Sequence, residues 1–226
     1  MRKIQLVLVA LIVLILSAFK ADHVITIYMI GDSTMSNKPL EGNNQERGWG
    51  HVLGSFFTED VRVENHAMNG RSSKSFIDEG RWETVVNKIR PGDYVFIQFG
   101  HNDEKPQPER HTDPGTTFDE NLRKFVRETR AKGGIPVLFN SIVRRNFGVN
   151  PDAVAADDIR PEKDEAVVEG DTLIDTHGKY LESPRNVAKE MDVCFIDLNQ
   201  ATKKLVESYG VEGSKKLFMW IPADTY

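Results

Sequence analysis

One cysteine, Cys194, is all the thiol this 226-residue sequence has, so no internal disulfide can form in any compartment. The thiol sits in the short apolar run Val193-Cys194-Phe195-Ile196, where a buried structural role is expected. Positive charge is not in excess either. Lys and Arg total 29 against 34 Asp and Glu, a formal net charge of −5. No domain-wide basic field exists to neutralise phosphates, which argues against a nucleic-acid partner. The same balance says little about a polysaccharide, where local basic residues matter more. The N-terminal apolar run from Ile4 to Leu16, broken only by Gln5, is shorter than the ~20 residues a spanning helix needs. No stable membrane insertion is therefore expected.

What is present suits a globular chain. Hydrophobic residues make up 39% and charged residues 28%, outside the disordered range. Arg2 and Lys3 precede the apolar run, and Ser17, Ala18 and Ala21 follow it. This is the pattern of a secretory signal peptide over residues 1–21, leaving one domain over 22–226 and a secreted or periplasmic location. An uncleaved anchor is the weaker alternative.

Strand-length apolar runs recur at Ile25 to Ile30, Val61 to Asn65, Tyr94 to Phe99, Ile135 to Asn140 and Val193 to Asp197. Helical patterns lie between them. Trp49 to Phe57 puts Trp49, Val52, Leu53 and Phe56 on one face, and Arg81 to Ile89 is a shorter candidate. Phe118 to Lys132 carries a stripe of Phe118, Leu122, Phe125 and Val126, with Thr117 to cap it and Gly133 to end it. Ser183-Pro184 reads as an N-cap and first helical residue, and Leu198 to Tyr209 is closed by Gly210. Alternating strands and helices imply a parallel sheet with right-handed crossovers. The expected fold is an α/β three-layer α/β/α sandwich with a flavodoxin-like five-stranded sheet. Residues 146–178 are charged and poorly periodic, as in a functional insertion.

Three polar blocks fall at the C-terminal ends of strands one, two and three: Gly31-Asp32-Ser33-Thr34, the run from Asn65 to Ser73, and Gly100-His101-Asn102-Asp103. Open α/β sheets bind ligands outside the carboxyl ends of their strands. In a sheet ordered 2-1-3 these three ends converge. Ser33 can supply a nucleophilic hydroxyl, Gly70 a backbone N–H open to close approach, and Asn102 an amide N–H for a developing oxyanion.

These blocks resemble the SGNH (GDSL-type) hydrolase superfamily. The finer text, Gly31-Asp32-Ser33-Thr34-Met35, Gly48-Trp49-Gly50, Asn69 to Ser73, Glu79-Gly80-Arg81-Trp82 and Gln98 to Asp103, is similar to rhamnogalacturonan acetylesterases. The resemblance implies metal-independent, cofactor-free removal of acetyl groups from a pectic polysaccharide, with Ser33, Gly70 and Asn102 catalytic. Arg71 and Ser72 are candidates for lining the substrate, Trp49 and Trp82 for packing, and Arg144 and Arg145 for meeting galacturonate carboxylates. The bland alternatives are a plain Asx turn at Asp32, a left-handed turn at Gly70 and a structural amide at Asn102.

The superfamily's base lies in an Asp-x-x-His block. None of the six histidines has an acidic residue three positions earlier. Asp175-Thr176-His177 is one residue short, and it precedes the fifth strand rather than following it. The expectation is an intact nucleophile and oxyanion pocket without a triad base, on a chain that lacks the last helix. Competing readings are a noncatalytic carbohydrate-binding relic, or an esterase acting on xylan acetyl groups or lipid esters.

Overall fold

A computed structural model describes residues 24–42, 44–147 and 173–218. The expected signal peptide, Asn43 and most of the 146–178 insertion lie outside the described residues. Five strands, β1 (Ile25–Gly31), β2 (Val61–Asn65), β3 (Tyr94–Gln98), β4 (Ile135–Phe139) and β5 (Cys194–Ile196), form one sheet in the order β2-β1-β3-β4-β5. Every neighbouring pair is parallel. Met29 stands opposite Asn65 and Gly31 opposite Gln98, so the ends of β1, β2 and β3 share one edge.

The strand period of two divides the apolar residues between two cores. Tyr28 and Ile30 of β1 join Val95 and Ile97 of β3 on one face. Helices α1 (Ser73–Asp78), α2 (Arg81–Val86), α3 (Thr117–Ala131) and α4 (Glu182–Met191) cover that face. Phe76, Trp82, Leu122, Phe125 and Val187 complete its core. Trp82 packs edge-on against Phe125 at 5.0 Å and donates its indole N–H to Glu128. Ile27 and Met29 point to the other face, which is thinly covered by Met35, Trp49 and Leu53. Helix α5 (Leu198–Gly213) packs through Val206 on Val143, Phe147 and Leu173, in the segments that follow β4. No helix among the described residues is long and apolar enough to cross a membrane.

Several local expectations fail for physical reasons. Residues 49–57 form two 3-10 turns, Trp49–His51 and Leu53–Phe56, rather than one helix, and Val52 and Phe56 are exposed. Gly50 and Gly54 weaken a helix there by roughly 1 kcal/mol each. Gly48 and Gly50 also serve a contact. A Cβ on Gly48 would sit 2.2 Å from the Ser36 carbonyl oxygen, and one on Gly50 would sit 2.6 Å from that of Met35. Ser183 does not cap α4. The helix starts at Glu182, continuing a 3-10 turn at Gly178–Leu181, and Pro184 falls in its first turn, where the missing N–H has no partner to lose. Thr117 opens α3 without capping it, and its hydroxyl accepts from the Asp113 N–H at 2.7 Å. Cys194 is exposed, because β5 is the edge strand and has no neighbour beyond it among the described residues. Gly210 interrupts α5 with φ 65° and ψ −177°.

Because the Gly48 backbone lies against Met35 and Ser36, Gly48→Ala should force this contact apart. A loss of about 1–3 kcal/mol is expected, which lowers the Tm by roughly 2–4 °C per kcal/mol for a domain of this size. Calorimetric melting would show it, and an unchanged Tm would refute the close approach.

Candidate active site

The turn that carries Ser33, the candidate nucleophile, begins where β1 ends. The Asp32 carbonyl accepts from the N–H groups of Met35 and Ser36, which folds Ser33 and Thr34 over the strand end. Asp32 Oδ1 accepts from the Thr34 N–H at 2.9 Å and the Thr34 hydroxyl at 2.7 Å. Gln98 is fully buried. It donates Nε2–H to Thr34 Oγ1 at 2.7 Å and accepts the Trp49 indole N–H at 2.5 Å. A continuous chain from Trp49 through Gln98 and Thr34 to Asp32 thus fixes the residues on both sides of Ser33. Ser33 itself is half-buried and lines an open cleft of about 660 Å3.

The second and third blocks are tied to this turn on either side of Gly70. Asn69 Oδ1 accepts from the Ser36 hydroxyl and from the Lys38 ammonium, both at 2.6 Å. Asn102 Nδ2–H donates to the Arg71 carbonyl at 3.1 Å. Gly70 lies between those two anchored neighbours, at φ +75°, with open space where a side chain would be. An amide has two N–H donors, so Asn102 keeps one beyond its bond to Arg71. Asp103, fully buried, reaches the same loop. It accepts from the Ser73 N–H and hydroxyl, the Gly100 N–H and the Thr112 hydroxyl.

Ser72 is completely buried, and its hydroxyl caps α1 by accepting the Ser75 N–H, with Ser75 Oγ returning to the Ser72 N–H in a capping box. It cannot touch a substrate, which corrects its expected lining role. The pair Ser72-x-x-Ser75 was the signal for α1, a helix the apolar pattern alone did not reveal. Arg71 is half-buried, with its guanidinium on Glu79 at 3.1 Å and on the Asn69 carbonyl at 2.9 Å. Arg144 and Arg145 are also committed inside the protein. Arg144 pairs with Glu104 and with the Thr176 hydroxyl, and Arg145 holds Ser214 and the Val211 carbonyl and lies over Phe147.

The histidines near the site are occupied elsewhere. His177 Nδ1 lies 3.1 Å from Glu104 Oε2 and Nε2 lies 3.0 Å from the Ile142 carbonyl oxygen, so neither nitrogen is available to Ser33. Asp175 bonds the backbone N–H groups of His177 and Gly178, not the imidazole. His101 stacks edge-on against His177 at 4.4 Å. Burial, then the neighbouring His177 and Arg144, pushes the His101 pKa well below its usual value. Among the described residues no histidine hydrogen-bonds the Ser33 hydroxyl. His101, Glu104 and His177 bring potential metal-ligand atoms within 4.8 Å of one another. Arg144 neutralises Glu104 and both His177 nitrogens are engaged, while His101 Nε2 is buried without a hydrogen-bond partner.

Two outcomes follow from this electrostatic arrangement. Glu104→Gln leaves Arg144 and His177 buried together without their anion, and should cost about 3–5 kcal/mol in denaturant unfolding. A neutral effect would show that the cluster is not an ion-pair network. Asp32 offers a pH signature. Burial raises its pKa to about 6 against the Thr34 hydrogen bonds that lower it, and its Oδ2 has no partner. The folded state therefore holds this proton more tightly than the unfolded chain, whose aspartates titrate near ~3.9. The resulting stability is present at low pH and lost as pH rises through the folded value. Relative to Asp32→Asn, the native protein should lose on the order of 2–3 kcal/mol between ~pH 4 and ~pH 6 and stay level above that. A stability difference independent of pH would contradict the assignment.

Comparison with known proteins adds a common ancestry to this geometry. The profile of the GDSL-like Lipase/Acylhydrolase family matches residues 29–211. Rhamnogalacturonan acetylesterase RhgT of Bacillus subtilis is 40% identical over 196 residues, covering 87% of this chain and 74% of that protein. The probable rhamnogalacturonan acetylesterase YesY of the same organism is 32% identical over 200 residues, covering 88% of this chain and 80% of its own length. The crystal structure of YxiM from Bacillus subtilis superposes with a TM-score of 0.68 at 27% identity, over 86% of this chain and 49% of that one. The chain thus spans about half of YxiM and most of the two acetylesterases. With its nucleophile turn, glycine loop and Gly-x-Asn-Asp block joined at one sheet edge, the chain belongs to the GDSL-like lipase/acylhydrolase family.

Proposed function

We propose that this protein is a secreted serine esterase that removes acetyl groups from a pectic polysaccharide of the rhamnogalacturonan type, without a metal or cofactor. The observation that carries the reading is the bracketing of Gly70. Asn69 is bonded to the nucleophile turn and Arg71 to Asn102, so one short loop spans nucleophile and oxyanion donors. The names of the two Bacillus relatives support the substrate class.

In this reading Ser33 Oγ attacks the acetyl carbonyl carbon, its proton passes to a base, and the carbonyl oxygen becomes an oxyanion. The N–H groups of Ser33 and Gly70 and the second amide N–H of Asn102 receive that charge. Each such donor contributes ~2.7–4 kcal/mol in the transition state. Collapse expels the sugar oxygen, which takes up a proton, and water then hydrolyses the acetyl-serine. The base is the missing part. No described histidine reaches Ser33, and the sequence contains no Asp-x-x-His. These 226 residues should therefore hydrolyse slowly, at the residual level that an oxyanion pocket and binding alone provide. A noncatalytic carbohydrate-binding protein is the competing reading.

Acetate release from acetylated rhamnogalacturonan separates the two. The native chain should be slow, imidazole added as an external base should accelerate it, and Ser33→Ala should abolish both rates. Asn102→Ala should lower the imidazole-assisted rate by about 10²–10³. Activity that survives in Ser33→Ala would refute the esterase. Binding of the polymer with no Ser33-dependent release would establish the noncatalytic reading. Faster release from acetylated xylan or a lipid ester would move the substrate class.

A further inference from the structure

The cleft that opens onto Ser33 has a charge that the rest of the molecule does not. The protein as a whole is acidic, with a formal net charge of −5. Yet three cations, Arg47, Lys215 and Lys216, line this cleft, and among its described lining residues Glu46 alone is acidic. Glu46 is already paired, since its carboxylate lies 2.7 Å from the ammonium of Lys38, a side chain only 1% exposed. The anion is thus neutralised from inside the protein, and the cleft rim is left positive.

The three cations are placed differently from the arginines that the sequence brings to mind. Arg144 and Arg145 are held by internal partners. Arg47, by contrast, is exposed and spends Nη1 alone on the carbonyls of Asn44 and Glu46, at 2.8 and 2.6 Å. That fixes the guanidinium plane while Nη2 and Nε stay directed elsewhere. Lys216 is exposed in the 3-10 turn Ser214–Leu217 beside Lys215, whose ammonium also meets Glu212 at 2.9 Å. The cleft also carries an apolar lining, through Ile142, Val143, Val206 and Phe218. The volume of about 660 Å3 falls within the ~300–1,000 Å3 range of small-molecule sites.

We infer that Arg47, Lys215 and Lys216 are the specificity-determining groups of this cleft, reading the carboxylates of a uronic-acid polymer while the apolar lining takes the faces of the sugar rings. The inference rests on the esterase reading for the identity of the cleft, and it deepens that reading by naming which side chains select an anionic chain. A fixed guanidinium suits bidentate carboxylate pairing, and the exposed Lys216 supplies a mobile point charge. Exposed charges are screened beyond about 8 Å at physiological ionic strength, so the selection should be salt-sensitive.

The test is binding, which does not depend on turnover. The full chain is titrated with an unacetylated oligogalacturonate and with the same oligomer after its carboxyls are reduced to alcohols. At low salt the native chain should prefer the charged oligomer by about tenfold, the equivalent of ~1.4 kcal/mol. In Arg47→Gln/Lys216→Gln the preference should fall to near unity, with unchanged melting as the check on folding. Arg47→Lys should restore less than native Arg47, because it keeps the charge and loses the fork. Raising salt to ~0.5 M should erase the native preference. Equal binding of both oligomers by the native chain, binding of neither, or a preference that persists in the double variant would each overturn the inference. Acetate release keeps the two ideas apart. Ser33-dependent release without charge preference sinks only the cation wall, and charge preference without release sinks only the esterase.

Discussion

The site depends on one buried carboxylate. Asp103 has no contact with solvent, yet it holds the Ser73 N–H and hydroxyl from the loop after β2, the Gly100 N–H from its own turn and the Thr112 hydroxyl from the following segment. A carboxylate has several lone pairs and can gather donors from segments that are distant in sequence. Here it joins the end of β2 to the end of β3. The Arg71–Asn102 bond runs alongside that junction, and Asn69 extends it to the nucleophile turn. Three loops that would otherwise move independently are held as one surface. Burial raises the Asp103 pKa to about 7 while the Ser73 and Thr112 donors pull it down.

Around this junction the protein concentrates buried ionisable groups. Asp32 and Asp103 are both fully buried, and Glu104, Arg144 and His177 form an internal network behind the Gly-His-Asn-Asp turn. Such networks are weak sources of net stability but strongly resist losing a member. Their effect here is positional. Glu104 follows Asp103 directly and pins the third block to the segment after β4 and to the residues around His177. The chain order of the block thus converts one polar tetrapeptide, with its next residue, into ties in three directions.

Most of the sheet was legible because its strands are short apolar runs ended by glycine or polar blocks, and the parallel order follows from alternation with helices. The polar blocks of the candidate site were legible because they stand at strand ends. What was not legible had contacts as its cause. Trp49 to Phe57 has helical spacing, but its glycines are needed for contact with the Met35–Ser36 backbone. Ser72 looks like a pocket residue beside Gly70 and Arg71, and only the reciprocal bond with Ser75 shows it to be a cap. Arg144 and Arg145 look like surface cations until Glu104 and the Val211 carbonyl claim them. Arg47 and Lys216 gave no signal in sequence, since only the fold brings residues 169 positions apart to one cleft.

The glycine contact at the nucleophile turn has a consequence for how this protein can change. A Cβ on Gly48 would meet the backbone of Met35 and Ser36, and one on Gly50 would meet the Met35 carbonyl and the side chains of Asn65 and Met29, so neither position has room for a side chain. The cleft beside Ser33 can vary instead through exposed lining residues such as Gln45, Arg47, Lys216 and Leu217. Variation in the cleft lining is thereby separated from the turn beside Ser33, where the backbone contact admits no added side chain.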